Sequence, residues 1–306
     1  MANKILRYLE TIIESKSILA ASHRLYISQP SLSQFVKRVE EDYQITIFNR
    51  ENTPWTLTEE GEILLESQRK MVEIERECRQ KFADRRELRT GEVRIASTAY
   101  RTAMLLNPVI AKFKSENPGI FIRIIEGNTA EVITMVESGQ ADCGIVISTL
   151  VPESLDHKMI YSEEVLIGLP GNHPYALEHP KPERRFDLLP LRYISETPFI
   201  IMKSGQAFHE YFYELCRNNE TNVPVALEAQ SIMTVPALIA SGIGAALIPS
   251  TIVDDCLERG IAIYRPEPQI QRNNVSIAWK HSRYQSYATR HFIERTLELL
   301  NNPKKS

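Results

Sequence analysis

The 306-residue sequence is poor in cysteine. Its four cysteines stand at positions 78, 143, 216 and 256, none forms a C-x-x-C pair, and no histidine lies beside them at metal-ligand spacing. Disulfide scaffolds and zinc sites need closer or paired cysteines. We expect four reduced, mostly buried thiols in a reducing cytosol and no bound metal. A redox sensor is the alternative, although no resolving partner is visible.

Long apolar runs and an excess of one charge are also missing. Residues 1–16 mix charges with apolar residues, unlike a signal peptide, and the most apolar stretch, residues 237–253, is interrupted by Gly242, Gly244 and Pro249. We expect a cytoplasmic protein with no membrane partner. The net charge of −3 excludes a uniformly basic nucleic-acid coat but leaves room for a local basic surface.

Signatures of common catalytic sites are absent from the sequence. None of the seven histidines belongs to an H-E-x-x-H motif, and there is no G-x-S-x-G elbow, P-loop or G-x-G-x-x-G. We therefore expect no catalytic residues and no cofactor. An enzyme stays an alternative that turnover in a substrate screen would reveal.

The sequence contains three zones that differ in residue pattern. With 43% apolar and 25% charged residues, the chain is typical of a globular protein of about two domains. Residues 1–56 carry short helical patterns broken by turns, residues 58–88 are densely charged, and residues 91–306 alternate strand-like and helical runs.

The first zone predicts a helix-turn-helix. After a first amphipathic helix, Ser17 can cap a second over residues 18–25, and Ser28 can cap a third that has Pro30 in its first turn. That third helix has no acid before residue 40, and its amides and hydroxyls can pair with base edges while its basic side chains meet phosphates. The candidate DNA contacts are Ser28, Gln29, Pro30, Ser31, Ser33, Gln34, Lys37 and Arg38. The alternative is the solvated face of an ordinary helical bundle.

Two β-prone runs, residues 45–50 and 55–58, flank a polar loop and predict a hairpin, or wing. Arg50 is a further candidate phosphate contact, and Trp55 either packs beneath the wing or lies on the DNA sugar edge. Residues 1–50 hold only seven basic against five acidic residues. Affinity for DNA must then come from local placement and from two copies acting together.

The second zone predicts one long helix. Leu57, Leu64, Met71 and Cys78 recur every seven residues, as one seam position of a coiled coil does, although the companion positions are weak. A long helix with a partial apolar stripe needs a partner, so a dimerising linker is favoured over a free spacer.

The third zone predicts a two-lobed α/β unit. A β-α-β-α-β series over residues 92–147 implies a parallel sheet, and a similar series recurs from residue 199. We expect chain crossings near residues 161–164 and 265–268. These crossings place lobe one at residues 91–161 and 268–306 and lobe two at residues 162–267, with a cleft between them.

Several segments together resemble the LysR-type transcriptional regulators. The similar segments are AASHRLYISQPSLSQ at residues 20–34, VEE at 39–41, IFNR at 47–50, LTEEG at 57–61, GEVRIA at 91–96 and SGIGAALIP at 241–249. The wing departs from the family pattern, since Glu51-Asn52-Thr53-Pro54 stands where a basic residue or glycine is common, and Tyr43-Gln44 replaces the usual Leu-Gly.

The resemblance implies an α/β fold class with a helical, winged N-terminal domain. It implies a winged helix-turn-helix at residues 1–58, a long dimerising linker helix at 59–89, and a two-lobed, periplasmic-binding-protein-like effector domain at 90–306. The implied partners are double-stranded promoter DNA, a small-molecule effector and a second copy of the chain in a homodimer or homotetramer. RNA polymerase is a further candidate partner.

Ligands of two-lobed α/β units bind in the cleft, at strand carboxyl ends and helix N-termini. The candidate effector contacts there are Ser97, Thr98, Arg101, Asn128, Thr129, Ser148, Thr149, Lys203 and Ser204. Each hydroxyl could instead cap a helix, Thr129 above all. Hydroxyls near Arg101 and Lys203 suggest a small carboxylate or similar anion.

The expected mechanism is linkage between the effector and DNA. Effector binding would favour one arrangement of the lobes and so change the spacing of the DNA-reading heads. Two further alternatives are a stand-alone solute-binding protein, which would need an export signal, and a nucleoid-type DNA binder without an effector.

Overall fold

The structure, a computed structural model, describes residues 2–50, 54–85, 90–179, 186–270 and 273–300. The chain divides into two units, Met1–Glu87 and Leu88–Ser306. The first consists of helices and a hairpin, and the second contains two sheets flanked by helices.

The first unit contains the predicted helices and wing. Its elements are α1 (Ala2–Ser15), α2 (Ile18–Leu25), α3 (Gln29–Tyr43), β1 (Phe48–Asn49), β2 (Thr56–Leu57) and α4 (Glu59–Arg85). The two short strands pair antiparallel, with Phe48 opposite Leu57. This arrangement confirms the winged helix-turn-helix.

Local capping explains where α2 and α3 begin. The Ser17 hydroxyl accepts a hydrogen bond from the Ala20 amide at 3.4 Å, and the Ser28 hydroxyl accepts one from the Ser31 amide at 3.3 Å. Between the helices, Tyr26 adopts a left-handed conformation with φ of 55° and ends α2. The inward faces of the three helices bury a core that includes Leu9, Leu32 and Val36.

One of the predicted seam positions on the long helix α4 is not at the surface. Leu64 is buried with Leu65 in the core of the first unit, so it is not available as a seam position. Met71 and Cys78 are exposed. The exposed large apolar side chains of α4 are Ile63, Met71, Ile74 and Phe82.

The second unit alternates strands and helices. In chain order its elements are β3 (Gly91–Ser97), α5 (Ala99–Arg101), a π-helical turn (Thr102–Leu106), α6 (Asn107–Glu116), β4 (Ile120–Glu126), α7 (Thr129–Glu137), β5 (Cys143–Ile147), β6 (Leu155–Glu163), β7 (Val165–Leu169), α8 (Pro174–Glu178), β8 (Leu188–Pro190), β9 (Phe199–Met202), α9 (Ala207–Asn218), β10 (Val225–Ala229), α10 (Val235–Ala240), β11 (Ala245–Pro249), α11 (Val253–Glu258), β12 (Ala262–Glu267), β13 (Asn273–Lys280) and α12 (Tyr287–Leu300).

Each lobe is built on one sheet. In lobe one the strand order is β4-β3-β5-β13-β6, and β3 pairs parallel with both β4 and β5. In lobe two the order is β10-β9-β11-β7-β12-β8, and β9 pairs parallel with β10 and β11. The predicted parallel β-α-β series is therefore present in both sheets. Strands β6, β7, β8 and β12 were not predicted, and residues 265–267, which were expected to cross between the lobes, belong to β12.

The chain crosses between the lobes twice. It leaves the first sheet after Glu163 and enters the second at Val165, then returns between the end of β12 at Glu267 and the start of β13 at Asn273. Ser162 and Glu163 pair with β13 and belong to the first sheet, although the sequence-based boundary assigned them to lobe two.

None of the helices in the described ranges is long and apolar enough to cross a membrane.

Candidate functional site

Most of the polar face of α3 is exposed. Leu32, Val36 and Val39 turn inward and are buried. The predicted DNA contacts that the structure leaves exposed are Ser28, Gln29, Pro30, Ser31, Gln34, Lys37 and Arg38, while Ser33 is half-buried. The structure therefore presents them together on one side of a capped helix, where the amides and hydroxyls can reach base edges.

Side chains at the start of α3 are linked to one another. The Gln29 amide nitrogen donates to the Ser33 hydroxyl at 3.2 Å, and the hydroxyls of Ser28 and Ser31 lie 2.7 Å apart. These bonds hold the polar groups in place on the helix surface. Farther along, Lys37 lies 3.6 Å from Glu41, but both side chains are well exposed, so the lysine can exchange this contact for a phosphate.

Arg50 is held between α3 and the wing. Its guanidinium lies 2.5 Å from Glu40 Oε2, and it also lies over the Trp55 ring, 5.5 Å from the ring centroid. The other oxygen of Glu40 accepts a hydrogen bond from the Ile47 amide at 3.0 Å. The centroids of the Trp55 and Phe48 rings lie 5.8 Å apart. Trp55 therefore packs against the wing, which is the first of the two alternatives for this residue. Residues 51–53 of the predicted wing lie outside the described residues.

Tyr26 stands in the turn between α2 and α3 and was not among the predicted DNA contacts. It is 93% exposed and adjoins the start of α3. A large aromatic residue in the turn of a helix-turn-helix, where glycine is common, was the available signal.

A cavity of about 420 Å³ lies between the lobes of the second unit. Its walls come from the carboxyl ends of strands in both sheets and from the helix starts that follow them. The lining residues are Thr98, Ala99, Tyr100, Arg101, Glu126, Gly127, Asn128, Thr129, Glu131, Ile147, Met202, Lys203, Ser204, Gln206, Ala207, Phe208, Gln230, Ser231 and Ile232.

Six of the nine predicted effector contacts line this cavity, namely Thr98, Arg101, Asn128, Thr129, Lys203 and Ser204. Ser97 is fully buried, and its hydroxyl donates to the Thr98 carbonyl at 3.2 Å. The Ser148 hydroxyl lies 2.6 Å from that of Ser276 and donates to the Asn274 carbonyl, which ties the end of β5 to β13. Thr149 is exposed and lies outside the lining.

Two of the helix N-termini at the cavity are closed by their own caps. Thr98 Oγ1 accepts from the Arg101 amide at 3.3 Å. Asn128 and Glu131 form a capping box at the start of α7, with bonds of 2.9 and 2.7 Å. The cap of α7 is therefore Asn128, not Thr129.

The N-terminus of α9 is different. Gln206 stands at its cap position but makes no side-chain capping bond, and its amide nitrogen donates instead to the Gln230 carbonyl at 2.7 Å. The first amides of this 12-residue helix are therefore free of a side-chain cap on the cavity wall. Such amides and the helix dipole favour an anion.

The two cations that line the cavity, Arg101 and Lys203, differ in how available they are to a ligand. Arg101 forms a buried ion pair with Glu163 at 3.2 Å, whereas Lys203 is exposed and forms no ion pair within the ranges that the structure describes. Burial and the Glu163 charge raise the pKa of the Tyr100 hydroxyl well above its usual value, so that hydroxyl stays protonated and able to donate.

None of the residues that line this cavity is a cysteine. Cys143 and Cys256 are buried, and burial raises the pKa of the Cys256 thiol to about 12. Cys78 on α4 is exposed, which differs from the expectation of mostly buried thiols. Over the described ranges, no group of three or more His, Cys, Asp or Glu side chains could hold a metal ion.

Two family models match the chain. The model for a bacterial regulatory helix-turn-helix protein of the lysR family matches residues 4–62, and the model for the LysR substrate binding domain matches residues 86–301. A curated relative, the uncharacterized HTH-type transcriptional regulator YcgK of Bacillus subtilis (strain 168), is 24% identical over 97% of this chain and 94% of its own length.

Solved structures share the fold. Full-length CbnR complexed with its target DNA matches 96% of this chain and 98% of its own with a TM-score of 0.68 and 16% identity. The effector binding domain of QuiR in complex with shikimate matches 69% of this chain and 98% of its own with a TM-score of 0.60 and 12% identity. These likenesses agree with the predicted fold class.

Proposed function

The chain belongs to the LysR family and is a DNA-binding transcriptional regulator with an effector-binding domain; from this we propose that a small anion in the interlobe cavity controls its binding to promoter DNA. The family consists of transcriptional regulators and not of enzymes, as the missing catalytic signatures predict. We place its action in the cytoplasm, where promoter DNA is found.

The DNA contacts follow from the exposed face of α3. Gln29, Ser31, Ser33 and Gln34 would face base edges, and Lys37 and Arg38 would meet phosphates together with Arg50. The support is that the helix has an acid-free polar face at its N-terminal end and an opposite face committed to the core.

The observation that carries the effector proposal is the cavity itself. It is lined by polar side chains from both lobes, so a ligand bound there would bridge them and favour one arrangement of the lobes. Lys203 and the uncapped start of α9 support an anionic group on the lobe-two wall. Shikimate, the ligand of the QuiR domain, is a carboxylate.

We propose that two copies of the chain pair through α4. Its exposed apolar stripe consists of Ile63, Met71, Ile74 and Phe82. A second copy would bury this stripe and would let two DNA-binding domains contact the DNA together. Homotetramers and contact with RNA polymerase remain expectations of the family resemblance.

The experiment that tests this function uses the full chain. Fluorescence anisotropy with the DNA upstream of its own gene should show specific binding at low salt. Thermal shift against a panel of small carboxylates should identify a stabilising ligand that also changes the DNA affinity. A chain that ignores its upstream DNA contradicts the regulator; one that binds DNA but no small molecule supports the nucleoid-type alternative.

A further inference from the structure

A buried ion pair lies behind the wall of the interlobe cavity. The Arg101 guanidinium lies 3.2 Å from Glu163 Oε1, and the two side chains are 8% and 1% exposed. Solvent screens a pair at this depth only weakly. The charge of Arg101 is therefore compensated before any ligand arrives, although Arg101 itself lines the cavity.

Three further groups donate to the Glu163 carboxylate. The Asn273 amide nitrogen contacts Oε1 at 2.7 Å, and the hydroxyls of Tyr100 and Thr251 lie 3.4 Å from Oε2. A carboxylate with donors at both oxygens needs no additional cation. The contacts also fix the direction in which Glu163 presents its charge to Arg101.

The network reaches both points at which the chain changes lobe. Glu163 is the last residue of β6 and Asn273 the first of β13, and the two are opposite each other in the sheet. Thr251 and Tyr211 belong to lobe two, and the Tyr211 hydroxyl donates to Asn273 Oδ1 at 3.2 Å. A movement of Arg101 in the cavity wall must therefore be accommodated at the crossings.

We propose that Glu163 is a specificity-determining and positioning residue of the effector site. It holds Arg101 in the wall as part of a neutral pair, so that Lys203 is the cation left to meet the ligand. The effector class that fits is a molecule with one negative group, which faces Lys203, and not a dianion that would need both cations. This inference rests on the proposed function for its ligand class.

The test measures the anion affinity of the full chain with inorganic phosphate by isothermal titration calorimetry. Glu163→Gln keeps the size of the side chain but frees the Arg101 charge, so we expect phosphate to bind at least tenfold more tightly than to the wild type. Adding Arg101→Gln should return the affinity to the wild-type level. Equal binding by the wild type and Glu163→Gln, or a gain that survives the loss of Arg101, would overturn the proposal.

The matched control is Glu164→Gln. Glu164 is the next residue and also pairs with an arginine, Arg265 at 3.1 Å, but both side chains are about one-third exposed. Its loss should leave the phosphate affinity unchanged. A gain equal to that of Glu163→Gln would show a general charge effect and contradict the specific role of Glu163.

Thermal unfolding supplies a second readout. Glu163→Gln leaves a charge buried without a partner, and we expect its melting temperature to fall by about 6–15 °C. The double variant removes both charges and should recover at least half of that loss. If Glu163→Gln does not fold, a double variant that also fails to fold refutes the pairing.

Neither assay requires promoter DNA or the natural effector. A chain that fails to bind DNA would defeat the proposed function while the phosphate and unfolding results still decide the role of Glu163.

Discussion

At the scale of single residues, helix capping and ligand binding compete for the same side chains. Thr98 and Asn128 were predicted as effector contacts, and both line the cavity, but each already accepts a backbone N–H at a helix start. Lys203 has no such structural partner among the described residues. The side chains that remain available, and not the residue types alone, define what the cavity can bind.

The start of α3 gives a prediction about sequence discrimination. Gln29→Ala and Ser33→Ala each remove one member of a hydrogen-bonded pair that faces outward. We expect each to weaken binding to the specific promoter by about 1–3 kcal/mol, with little change on unrelated DNA. Gel-shift titrations on both DNAs measure the two affinities.

Lys37→Ala is the matched comparison on the same helix. As a phosphate contact it should weaken binding to both DNAs alike and reduce the salt dependence. If Gln29→Ala also lowers both affinities equally, the assignment of Gln29 to base reading is wrong.

Lys203 gives a prediction about the effector. Lys203→Met keeps the length of the side chain but removes the cation, so a carboxylate that stabilises the wild type should bind about tenfold or more weakly, the loss of one charge-assisted bond. Thermal shift with the same carboxylate measures this. Lys112→Met, on the outer surface of α6 beside Glu116, should leave the affinity unchanged; equal losses in both variants would argue against a direct contact.

At the scale of elements, the capped helices α2 and α3 were predictable, whereas the edge strand β6 was not. Ser17 and Ser28 fixed the starts of α2 and α3 because capping is a local interaction. Strand β6 is an edge strand whose residues 156–158 are charged or polar, so its hydrophobic pattern is weak. Its assignment depends on pairing with β13, more than 100 residues later.

The junction of the wing and α4 gives an element-scale prediction. Gly61 lies so close to the wing that an added Cβ would be 2.2 Å from the Ile47 carbonyl oxygen. Gly61→Ala must therefore push the helix and the wing apart, and we expect a loss of about 3 kcal/mol or more.

Chemical denaturation of the full chain should show this loss in the first unit, together with weaker DNA binding. Carboxylate binding in the second unit should be unaffected. Glu62→Ala, an exposed neighbour, should change stability by less than about 0.5 kcal/mol. An unchanged unfolding curve for Gly61→Ala would contradict this prediction, because it would show that the wing can move aside without loss of stability.

At the scale of the whole molecule, the apolar stripe of α4 predicts the oligomer. Ile74 is 67% exposed in the single chain. If a second copy covers it, Ile74→Asp should shift the sedimentation coefficient toward that of a monomer. DNA affinity should then fall by about 100-fold or more, because two DNA-binding domains no longer bind the same DNA together.

Arg79→Asp is the control for added charge, because Arg79 lies five residues farther along α4 and thus on another face, and its side chain is 78% exposed. It should leave the sedimentation unchanged. If Ile74→Asp sediments like the wild type, α4 is not the pairing surface.

Local patterns in the sequence determined the class of the fold and the position of helix α3. Hydrophobic periodicity and caps act over a few residues, so the helix-turn-helix and the alternation of strands and helices were predictable from them. Only the tertiary structure decided which charges stay available, because it brings Glu163 to Arg101 across 62 residues and places Leu64 in the core and not in the seam. Burial and pairing depend on distant parts of the chain, and no local pattern contains them.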